Sequence, residues 1–558
     1  MKNSRRKRTG KNSSNSNFLI QGSILAITSV IVRIIGIVYR IPLTNMIGRA
    51  GIGYYSSAFQ IYSILLLLSS YSLPLAVSKM VSAKVALNQY RDAYKIFKLA
   101  CIYALIVGFI AALITYFGAD FFATELLKRP MCAYALKTLA PTVLIVALMG
   151  VLRGYFQGMG TMMPTSLSQL IEQLINAGVS ILAAYLLFGY GTMSNIVYEQ
   201  EDFPAALGAA GGTVGTGVGA LFSLLFLCFI FYCYKQILNR QLRNDRNSVN
   251  ESSIDISKVL IATIIPVILS SAVYNISSVI DDAIFGHAMF KINEMTADDI
   301  SILWGEFSGR YLLIINVPIA IASALSASII PSLTRAVAEG NRGIIEEKIS
   351  TAIRFAMLIA IPSAIGLIVL STPVMQLLFR EDIELAAQML MYGAIAVIFF
   401  SLSTVTNAIL QGLNHMRSPV IHAIYSLAIH VVILLILLFV FKAGIHAVVI
   451  ANICFAILMC FFNNLKIKRI LGYRQETLKT FILPIISATI MGAATFAVYR
   501  LTYMLIKVNV IACLAAMIIA IIIYAALLIK LRCIDEVELY NMPKGRTIIR
   551  LARKLYLL

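Results

Sequence analysis

The chain is 558 residues long, and 59% of its residues are hydrophobic whereas 13% are charged. Its mean hydropathy is +0.86, and soluble domains carry about 25% charged residues, so a water-soluble globular protein is excluded. The formal net charge of +20 is compatible with nucleic-acid binding, but the Lys and Arg residues are scattered between apolar segments and form no concentrated basic face. The composition therefore predicts a membrane protein without a nucleic-acid partner.

Apolar segments recur along almost the whole chain, each about 20 residues long, which is the length that a helix needs to cross the hydrocarbon core of a bilayer. They lack the alternating pattern of barrel strands, for example at 431–441, which excludes a transmembrane barrel. The basic N-terminus leads into an apolar run without a cleavage site, so we expect a retained first helix rather than a signal peptide. We predict an all-α polytopic membrane protein of about fourteen spans, at 18–41, 53–77, 96–118, 134–157, 167–190, 207–234, 258–284, 305–330, 351–374, 386–411, 420–441, 444–464, 478–500 and 508–530.

The distribution of the Lys and Arg residues predicts the orientation of these spans in the membrane. Basic clusters lie at 5–8, 79–98, 235–246, 466–474 and 530–554. All of them fall on one side of the predicted spans, and the positive-inside rule assigns that side to the cytoplasm. The opposite loops are neutral or acidic, for example at Glu199 and Asp298. We therefore predict a multi-pass protein of the cell membrane with both termini in the cytoplasm.

The sequence also repeats itself at an offset of about 253 residues, which is typical of transporters built from duplicated bundles. The fourth span ends in Gln157-Gly158 before Pro164, and the tenth span ends in Gln411-Gly412 before Pro419. We predict two parallel six-helix lobes, at 18–234 and 258–464, joined by a cytoplasmic linker at 235–257. A basic cytoplasmic tail at 1–17, two further helices within 465–531 and a second basic tail at 532–558 complete the predicted organisation.

Charged side chains inside a bilayer are costly and therefore mark candidate functional sites. Arg33 and Arg40 lie seven residues apart on one face of the first helix, where they could bind an anion, and Arg310 in the eighth helix is a third candidate. Guanidinium groups stay charged and bind phosphate oxygens in bidentate geometry, so three of them around one cavity would suit a pyrophosphate headgroup. In the alternative interpretation Arg40 extends to the outer interface, Arg33 makes a structural pair, and Arg310 pairs with Glu306 one turn before it.

The acidic residues inside the predicted spans are candidates for ion coupling, because protonatable carboxylates couple many transporters to protons or sodium. Asp281 and Asp282 lie near the outer end of the seventh helix, and Glu306 lies in the eighth. In the alternative interpretation Asp281 and Asp282 only mark the end of a helix.

A polar stripe on the fifth helix predicts a cavity lining. Gln169, Glu172, Gln173 and Asn176 follow one another at helical spacing, and such a stripe is costly if it faces lipid. We predict that Gln169, Glu172 and Asn176 contact the substrate. Weaker polar stripes on the seventh and tenth helices fit interhelical hydrogen bonds equally well.

Several other patterns predict packing rather than chemistry. Gly211, Gly215 and Gly219 recur every four residues and form a flat ridge for close approach of another helix, and their run lacks the GK[ST] ending of a phosphate loop. The eight Cys residues lie singly and the His residues form no metal-ligand motif. We therefore predict no cofactor, no metal and no nucleotide. The predicted loops contain no carboxylate cluster or nucleophile–base pair of a membrane transferase, so we predict that the protein is not an enzyme.

Three stretches near the N-terminus resemble a known family. They read Arg33-Ile34-Ile35-Gly36, Tyr39-Arg40-Ile41-Pro42-Leu43-Thr44 and Gly51-Ile52-Gly53-Tyr54-Tyr55. Together with the turn at 157–164 and the fourteen predicted spans, they are similar to the multidrug, oligosaccharide-lipid and polysaccharide exporter superfamily. Within it, the resemblance is to stage V sporulation protein B and the MurJ-type lipid II flippases, and it extends over most of residues 18–531.

The resemblance implies a V-shaped transporter whose central cavity receives the pyrophosphate-saccharide headgroup of an undecaprenyl-linked precursor. The last two helices would form a groove for the lipid tail, and the basic cavity residues of the family carry over to Arg33 and Arg40. The family's arginine in the second helix has no counterpart at 60–72, and Arg310 stands earlier in its helix than the family's arginine there. We therefore predict a monomeric flippase that moves lipid II or a related cell-wall or polysaccharide precursor by alternating access, in contact with membrane lipids.

Two alternative functions compete with this prediction. A cation-coupled multidrug exporter of the same superfamily would use Glu172, Asp281 and aromatic side chains for its ion and substrate, but such exporters typically have about twelve spans, and cavity arginines would repel cationic drugs. A membrane scaffold would use the basic tails to bind soluble partners or anionic lipid.

Overall fold

The computed structural model describes residues 28–198, 202–249, 251–338, 340–380 and 382–533, together with 549, 550 and 553. The predicted tail at 1–17, the start of the predicted first span at 18–27, Glu199 and most of the predicted tail at 532–558 lie outside the described residues. Within the described ranges all regular secondary structure is helical. The all-α prediction is therefore confirmed.

The chain divides after Gly305 into two compact units. The helices of the first unit are α1 (28–38), α2 (Arg40–Leu66), α3 (Leu73–Ala86), α4 (Tyr90–Phe117), α5 (Ala119–Phe121), α6 (Cys132–Gly158), α7 (Met163–Tyr198), α8 (Phe203–Asn244), α9 (Ser253–Asn293) and α10 (Ala297–Gly305). The helices of the second unit are α11 (Leu312–Ala338), α12 (Arg342–Val369), α13 (Ser371–Leu378), α14 (Glu384–Gly393), α15 (Ala396–Gly412), α16 (Arg417–Phe439), α17 (Ile445–Leu471), α18 (Leu483–Ile506) and α19 (Asn509–Lys530). π-helical turns lie at Leu67–Tyr71, Phe122–Leu126, Glu306–Tyr311 and Leu478–Ile482.

The distribution of large and small side chains on helix α4 is typical of a helix that faces lipid on one side. Its exposed side chains are large and apolar, and Ile102, Leu105 and Phe109 are each more than half exposed. From Ala100 onward its buried positions carry small residues instead, at Ala100, Ala104, Gly108, Ala111 and Thr115. Small residues let helices approach one another in a membrane, where large apolar side chains face hydrocarbon at no cost.

Among the described residues, 11 helices are long and apolar enough to cross a membrane, or up to 12 if α14 and α15 form one span. One of the 11 is the stretch Thr28–Ala86, which has 59 residues, whereas a single crossing needs about 20. The chain is a multi-span membrane protein, and the number of fourteen stays a prediction.

The structure differs from the predicted spans at two places, the loop between the first two spans and the tenth span. The predicted loop between the first two spans is helical except at Gly48, which has φ 73° and ψ −178°. This combination is essentially restricted to glycine. The predicted tenth span is divided into α14 and α15, whose axes meet at 52°.

The predicted linker at 235–257 is shorter in the structure, because α8 continues to Asn244 and α9 begins at Ser253. The segment between them is attached to α4. The Asp245 carboxylate accepts hydrogen bonds from the Arg91 amide at 2.7 Å and from the Ser248 hydroxyl at 2.5 Å. The Asp92 carboxylate accepts one from the Val249 amide at 3.0 Å.

The predicted glycine ridge is confirmed as a packing surface of α8 against α7. A Cβ atom on Gly211 would lie 2.5 Å from the carbonyl oxygen of Ala183, and one on Gly219 would lie 2.6 Å from that of Glu172. A Cβ atom on Gly215 would overlap Ser180. The ridge brings the backbone of α8 next to the polar stripe of α7.

In the second unit, the last two helices pack against α12 and α13. The Tyr524 hydroxyl of α19 donates a hydrogen bond to the Leu358 carbonyl of α12 at 3.0 Å. The Asn509 amide donates one to the Pro373 carbonyl of α13 at 3.0 Å, and a Cβ atom on Gly492 of α18 would lie 2.8 Å from Ile365. The two additional helices are therefore integral to this unit.

Candidate functional site

Arg40 begins α2 and is half-buried among aromatic side chains. Its guanidinium carbon lies 5.9 Å from the ring centroid of Tyr55 and 5.8 Å from that of Phe59, within the range of cation–π attraction. Among the described residues it makes no ion pair with a carboxylate. The positive charge is therefore held in place by rings that do not neutralise it.

The bend at Gly48 makes this contact geometrically possible. Tyr55 follows Arg40 by fifteen residues, which in a straight helix would separate them by about 22 Å along the axis. The Tyr39 and Tyr55 hydroxyls nevertheless lie 3.2 Å apart. The non-helical conformation of Gly48 redirects the chain so that the start of α2 lies beside its middle.

Asn176 of α7 connects the polar stripe to this aromatic cluster. Its side-chain amide donates a hydrogen bond to the Tyr39 hydroxyl at 3.4 Å. Its carbonyl oxygen accepts hydrogen bonds from Ser180 at 2.9 Å and from Thr216 of α8 at 3.4 Å. Tyr39, Tyr55 and Asn176 therefore form one hydrogen-bonded chain next to Arg40.

Glu172 lies one helical turn before Asn176 and forms an ion pair with Arg153 of α6 at 2.7 Å. The Arg153 guanidinium also donates to the hydroxyls of Ser168 at 2.9 Å and Ser223 at 3.1 Å. The side chains of Arg153 and Glu172 are 13% and 27% exposed, so solvent reaches the pair.

Arg153 is not among the site residues predicted from the sequence, although it lies inside the predicted fourth span. Its position in the sequence could have identified it, because a charged residue within an apolar span is a functional candidate by default. Its partner was not predictable, since pairing of Arg153 with Glu172 depends on how α6 and α7 pack.

Two further candidates have unused polar groups. The Gln169 side-chain oxygen is buried and accepts no hydrogen bond from any described residue. Arg33 on α1 is exposed and has no ion-pair partner among the described residues. A Cβ atom on Gly36 would lie 3.1 Å from the amide nitrogen of Gln173, so α1 lies against the polar stripe of α7.

Asp282, a candidate for ion coupling, forms an ion pair with Arg129 in the loop before α6, and both side chains are fully buried. The guanidinium of Arg129 also lies 5.7 Å from the ring of Trp304. Asp281 beside it is 2% exposed. The structure thus places Asp282 in a buried ion pair of the first unit rather than in the hydrogen-bonded chain of Tyr39, Tyr55 and Asn176.

Arg310 and Glu306 pair with each other in the second unit. Their charged atoms lie 2.8 Å apart, and neither side chain is exposed. Arg310 also donates to the Asp382 carbonyl at 2.6 Å and lies 5.3 Å from the ring of Phe379. The structure therefore gives both residues the ion-pair geometry of the alternative interpretation.

The sequence matches a known protein family. A family model described as Lipid II flippase MurJ matches residues 91–515. The chain is 26% identical over 501 residues to the lipid II flippase MurJ of Bacillus subtilis (strain 168), which covers 86% of this chain and 88% of that protein. It is 23% identical over 541 residues to stage V sporulation protein B of the same organism, which covers 96% of this chain and 99% of that protein.

Solved structures share the fold. An inward closed conformation of the lipid II flippase MurJ superposes with a TM-score of 0.64 at 15% identity, covering 90% of this chain and 97% of that chain. An inward-facing multidrug resistance transporter of the MATE family superposes with a TM-score of 0.62 at 15% identity, covering 79% of this chain and 99% of that chain. The fold is therefore common to lipid flippases and drug exporters.

Proposed function

Because this chain belongs to the MurJ family of lipid II flippases, we propose that it moves an undecaprenyl-pyrophosphate-linked saccharide across the cell membrane by alternating access. The family membership makes it a transporter rather than an enzyme. We propose lipid II or a related cell-wall precursor as the substrate, a monomer as the transporting species, and a cytoplasmic location for both termini.

The observation that carries the proposal is the environment of Arg40. Its guanidinium lies over two aromatic rings, and no carboxylate among the described residues neutralises it. A fixed, partly desolvated guanidinium is a strong ligand for phosphate oxygens, because charge-assisted hydrogen bonds gain strength where water is scarce. In this proposal Arg40 binds the pyrophosphate, and the exposed Arg33 on α1 is a second cation that contacts it.

The polar stripe of α7 supplies groups for a saccharide. The buried oxygen of Gln169 has a free acceptor position among the described residues, and Asn176 holds the Tyr39 hydroxyl next to Arg40. Sugar hydroxyls donate and accept hydrogen bonds, so an unsatisfied buried acceptor favours their binding. In this proposal Gln169 contacts the saccharide, while Asn176 positions the aromatic cluster that holds Arg40.

The pair of Glu172 and Arg153 bears on the competing drug exporter. A cationic drug or a coupling cation needs a carboxylate that is free to bind it, whereas Glu172 already contacts Arg153 at 2.7 Å. Releasing Glu172 would leave the Arg153 charge without its carboxylate partner, which costs less for this partly exposed pair than the roughly 3 to 5 kcal/mol of a fully buried one. The pair therefore favours an anionic over a cationic substrate.

A complementation experiment tests the proposal in cells. Arg40→Ala is expected to abolish growth rescue of a cell depleted of its lipid II flippase, while the variant reaches the membrane at normal levels. Arg500→Ala is the matched control, because Arg500 also lies over an aromatic ring in a membrane helix, at 5.4 Å from Phe496, but belongs to α18 of the second unit. Full rescue by Arg40→Ala would remove the phosphate role from this residue.

A further inference from the structure

A cavity of about 430 Å³ lies in the second unit, where the end of α17 meets the segment that leads to α18. Its wall includes Thr406 of α15, Phe461 and Lys468 of α17, and Arg474 and Phe481 beyond them. None of these residues belongs to the candidate site around Arg40. The cavity is therefore a candidate binding site separate from the one around Arg40.

Two cations line this cavity. Lys468 lies in the last turn of α17, and Arg474 follows the left-handed cap residue Gly472. Both side chains are exposed, and neither makes an ion pair with any described carboxylate, including that of Glu476 nearby. Their charges are thus available to an anion from solution or from the membrane surface.

The segment that carries Arg474 is held in place by neighbouring side chains. The Tyr473 hydroxyl hydrogen-bonds to Gln475, and the Gln475 amide donates to the Thr480 hydroxyl at 2.8 Å. Tyr473 itself is buried. A fixed segment reduces the conformational entropy lost on binding, so Arg474 is prepared for a ligand.

Part of the cavity lining is apolar and reaches the protein surface. Leu402, Phe461 and Phe481 form this part, and Phe461 is 57% exposed. Leu478 and Ile482, on the adjoining π-helical turn, are exposed as well. A ligand for this cavity therefore needs an anionic group joined to a hydrocarbon chain.

We propose that this cavity binds one anionic glycerophospholipid of the cytoplasmic leaflet. Its phosphate lies between Lys468 and Arg474, and one acyl chain runs along Phe461 and Phe481. The basic cluster at 466–474 marks the cytoplasmic side by the positive-inside rule, and anionic lipids of that leaflet are attracted to basic groups at the membrane surface. The volume of about 430 Å³ suits the headgroup of one phospholipid, since sites for small ligands span roughly 300 to 1,000 Å³.

Lipid retention by the purified full chain tests the proposal independently of transport. The protein is incubated with phosphatidylglycerol or with the zwitterionic phosphatidylcholine, and bound lipid is counted by native mass spectrometry. Lys468→Ala/Arg474→Ala is expected to lower phosphatidylglycerol retention at least fivefold and to leave phosphatidylcholine unchanged. Lys466→Ala/Arg469→Ala is the matched control, because it removes the same charge from the same end of α17 outside the residues that line the cavity. It is expected to retain the lipid.

Equal loss in the two double variants would reduce the effect to general surface charge and overturn the proposal. Displacement of the phospholipid by undecaprenyl pyrophosphate, with loss of that binding in Lys468→Ala/Arg474→Ala, would assign the cavity to the transport substrate and also overturn it. Phe461→Ala keeps both cations and tests the apolar part of the lining alone. It is expected to weaken retention of a long-chain phosphatidylglycerol without affecting a short-chain one.

Discussion

Arg129 and Asp282 form an ion pair in which neither side chain has exposed surface. The pair joins the loop before α6 to α9 within the first unit, and the Trp304 ring covers the guanidinium. Breaking a buried pair leaves one charge without compensation, which costs about 3 to 5 kcal/mol. Asp282→Ala is therefore expected to lower the thermal midpoint of the detergent-solubilised protein strongly.

Two control variants separate the lost pair from other effects. Arg129→Leu/Asp282→Leu removes both charges and should recover much of the stability, because a buried pair replaced by apolar side chains is often neutral. Lys137→Ala breaks the exposed pair with Asp120, whose side chains are 36% and 68% exposed, and is expected to cost about 1 kcal/mol or less. A similar decrease of the thermal midpoint in Lys137→Ala and Asp282→Ala would show that the buried pair contributes no more stability than the exposed one.

Gly48 is expected to be intolerant of any side chain. Its φ of 73° with ψ near 180° is disfavoured for other residues by about 1 to 3 kcal/mol. Gly48→Ala should therefore straighten or strain the bend, separate Arg40 from Tyr55 and reduce flipping by more than tenfold. Gly189→Ala is the control, since a Cβ atom there meets no atom within 4 Å. Wild-type flipping by Gly48→Ala would contradict the role of the bend.

The glycine ridge of α8 gives a packing prediction. Gly215→Leu would drive a side chain into Ser180 of α7, and overpacking of a close interface typically costs about 1 to 3 kcal/mol or more. We expect reduced yield of folded protein in detergent, measured by size-exclusion chromatography. Gly178→Ala on the facing helix meets open space and should behave like the wild type, whereas normal yield of Gly215→Leu would show that the two helices can separate.

Asp245 gives a prediction of pH dependence outside the membrane spans. Burial raises the pKa of its carboxyl group, but hydrogen bonds from the Ser248 hydroxyl and the amides of Arg91, Asn247 and Ser248 outweigh burial and lower the pKa to about 2 from the ordinary value of 3.8. A lowered pKa in the folded state stabilises the fold above pH 3.8, and the stabilisation is lost as the pH falls through about 2.

The measurement is the thermal midpoint of the wild type and of Asp245→Asn as a function of pH. The wild type should be the more stable of the two at pH 7, and the difference should shrink between about pH 4 and pH 2. Asp255→Asn is the control, because Asp255 is exposed in the first turn of α9. A difference that stays constant down to pH 2 would show that the charge of Asp245 is not what holds the segment to α4.

Much of the fold could be predicted because lipid and water impose a strong pattern on the sequence. Apolar length identified the membrane helices, and the spacing of Gly211, Gly215 and Gly219 identified the face of α8 that packs on α7. The family resemblance, based on residues near Arg33 and Arg40, is confirmed by the match to the MurJ family model. Helix ends were less predictable, because polar residues continue α8 and α17 beyond the apolar core.

The candidate site could be predicted only in part, because it depends on contacts between helices. The helical spacing of Glu172 and Asn176 placed them on one face of α7, but their partners Arg153 and Tyr39 come from α6 and the turn before α2. The sequence predicts a loop around Gly48, since a single glycine does not show whether the chain unwinds or turns sharply within a helix. Buried pairing of Arg129 and Asp282 likewise follows from tertiary packing alone.

The most direct test of the central claim is flipping of a fluorescent undecaprenyl-pyrophosphate saccharide by purified protein in vesicles, with Arg40→Ala, Arg40→Lys and Arg500→Ala compared side by side. We expect flipping by the wild type and Arg500→Ala, a loss of at least tenfold in Arg40→Ala, and partial activity in Arg40→Lys, which keeps the charge but not the bidentate geometry. Unchanged flipping by Arg40→Ala, at equal protein density in the vesicles, would contradict the assignment of Arg40 to the pyrophosphate.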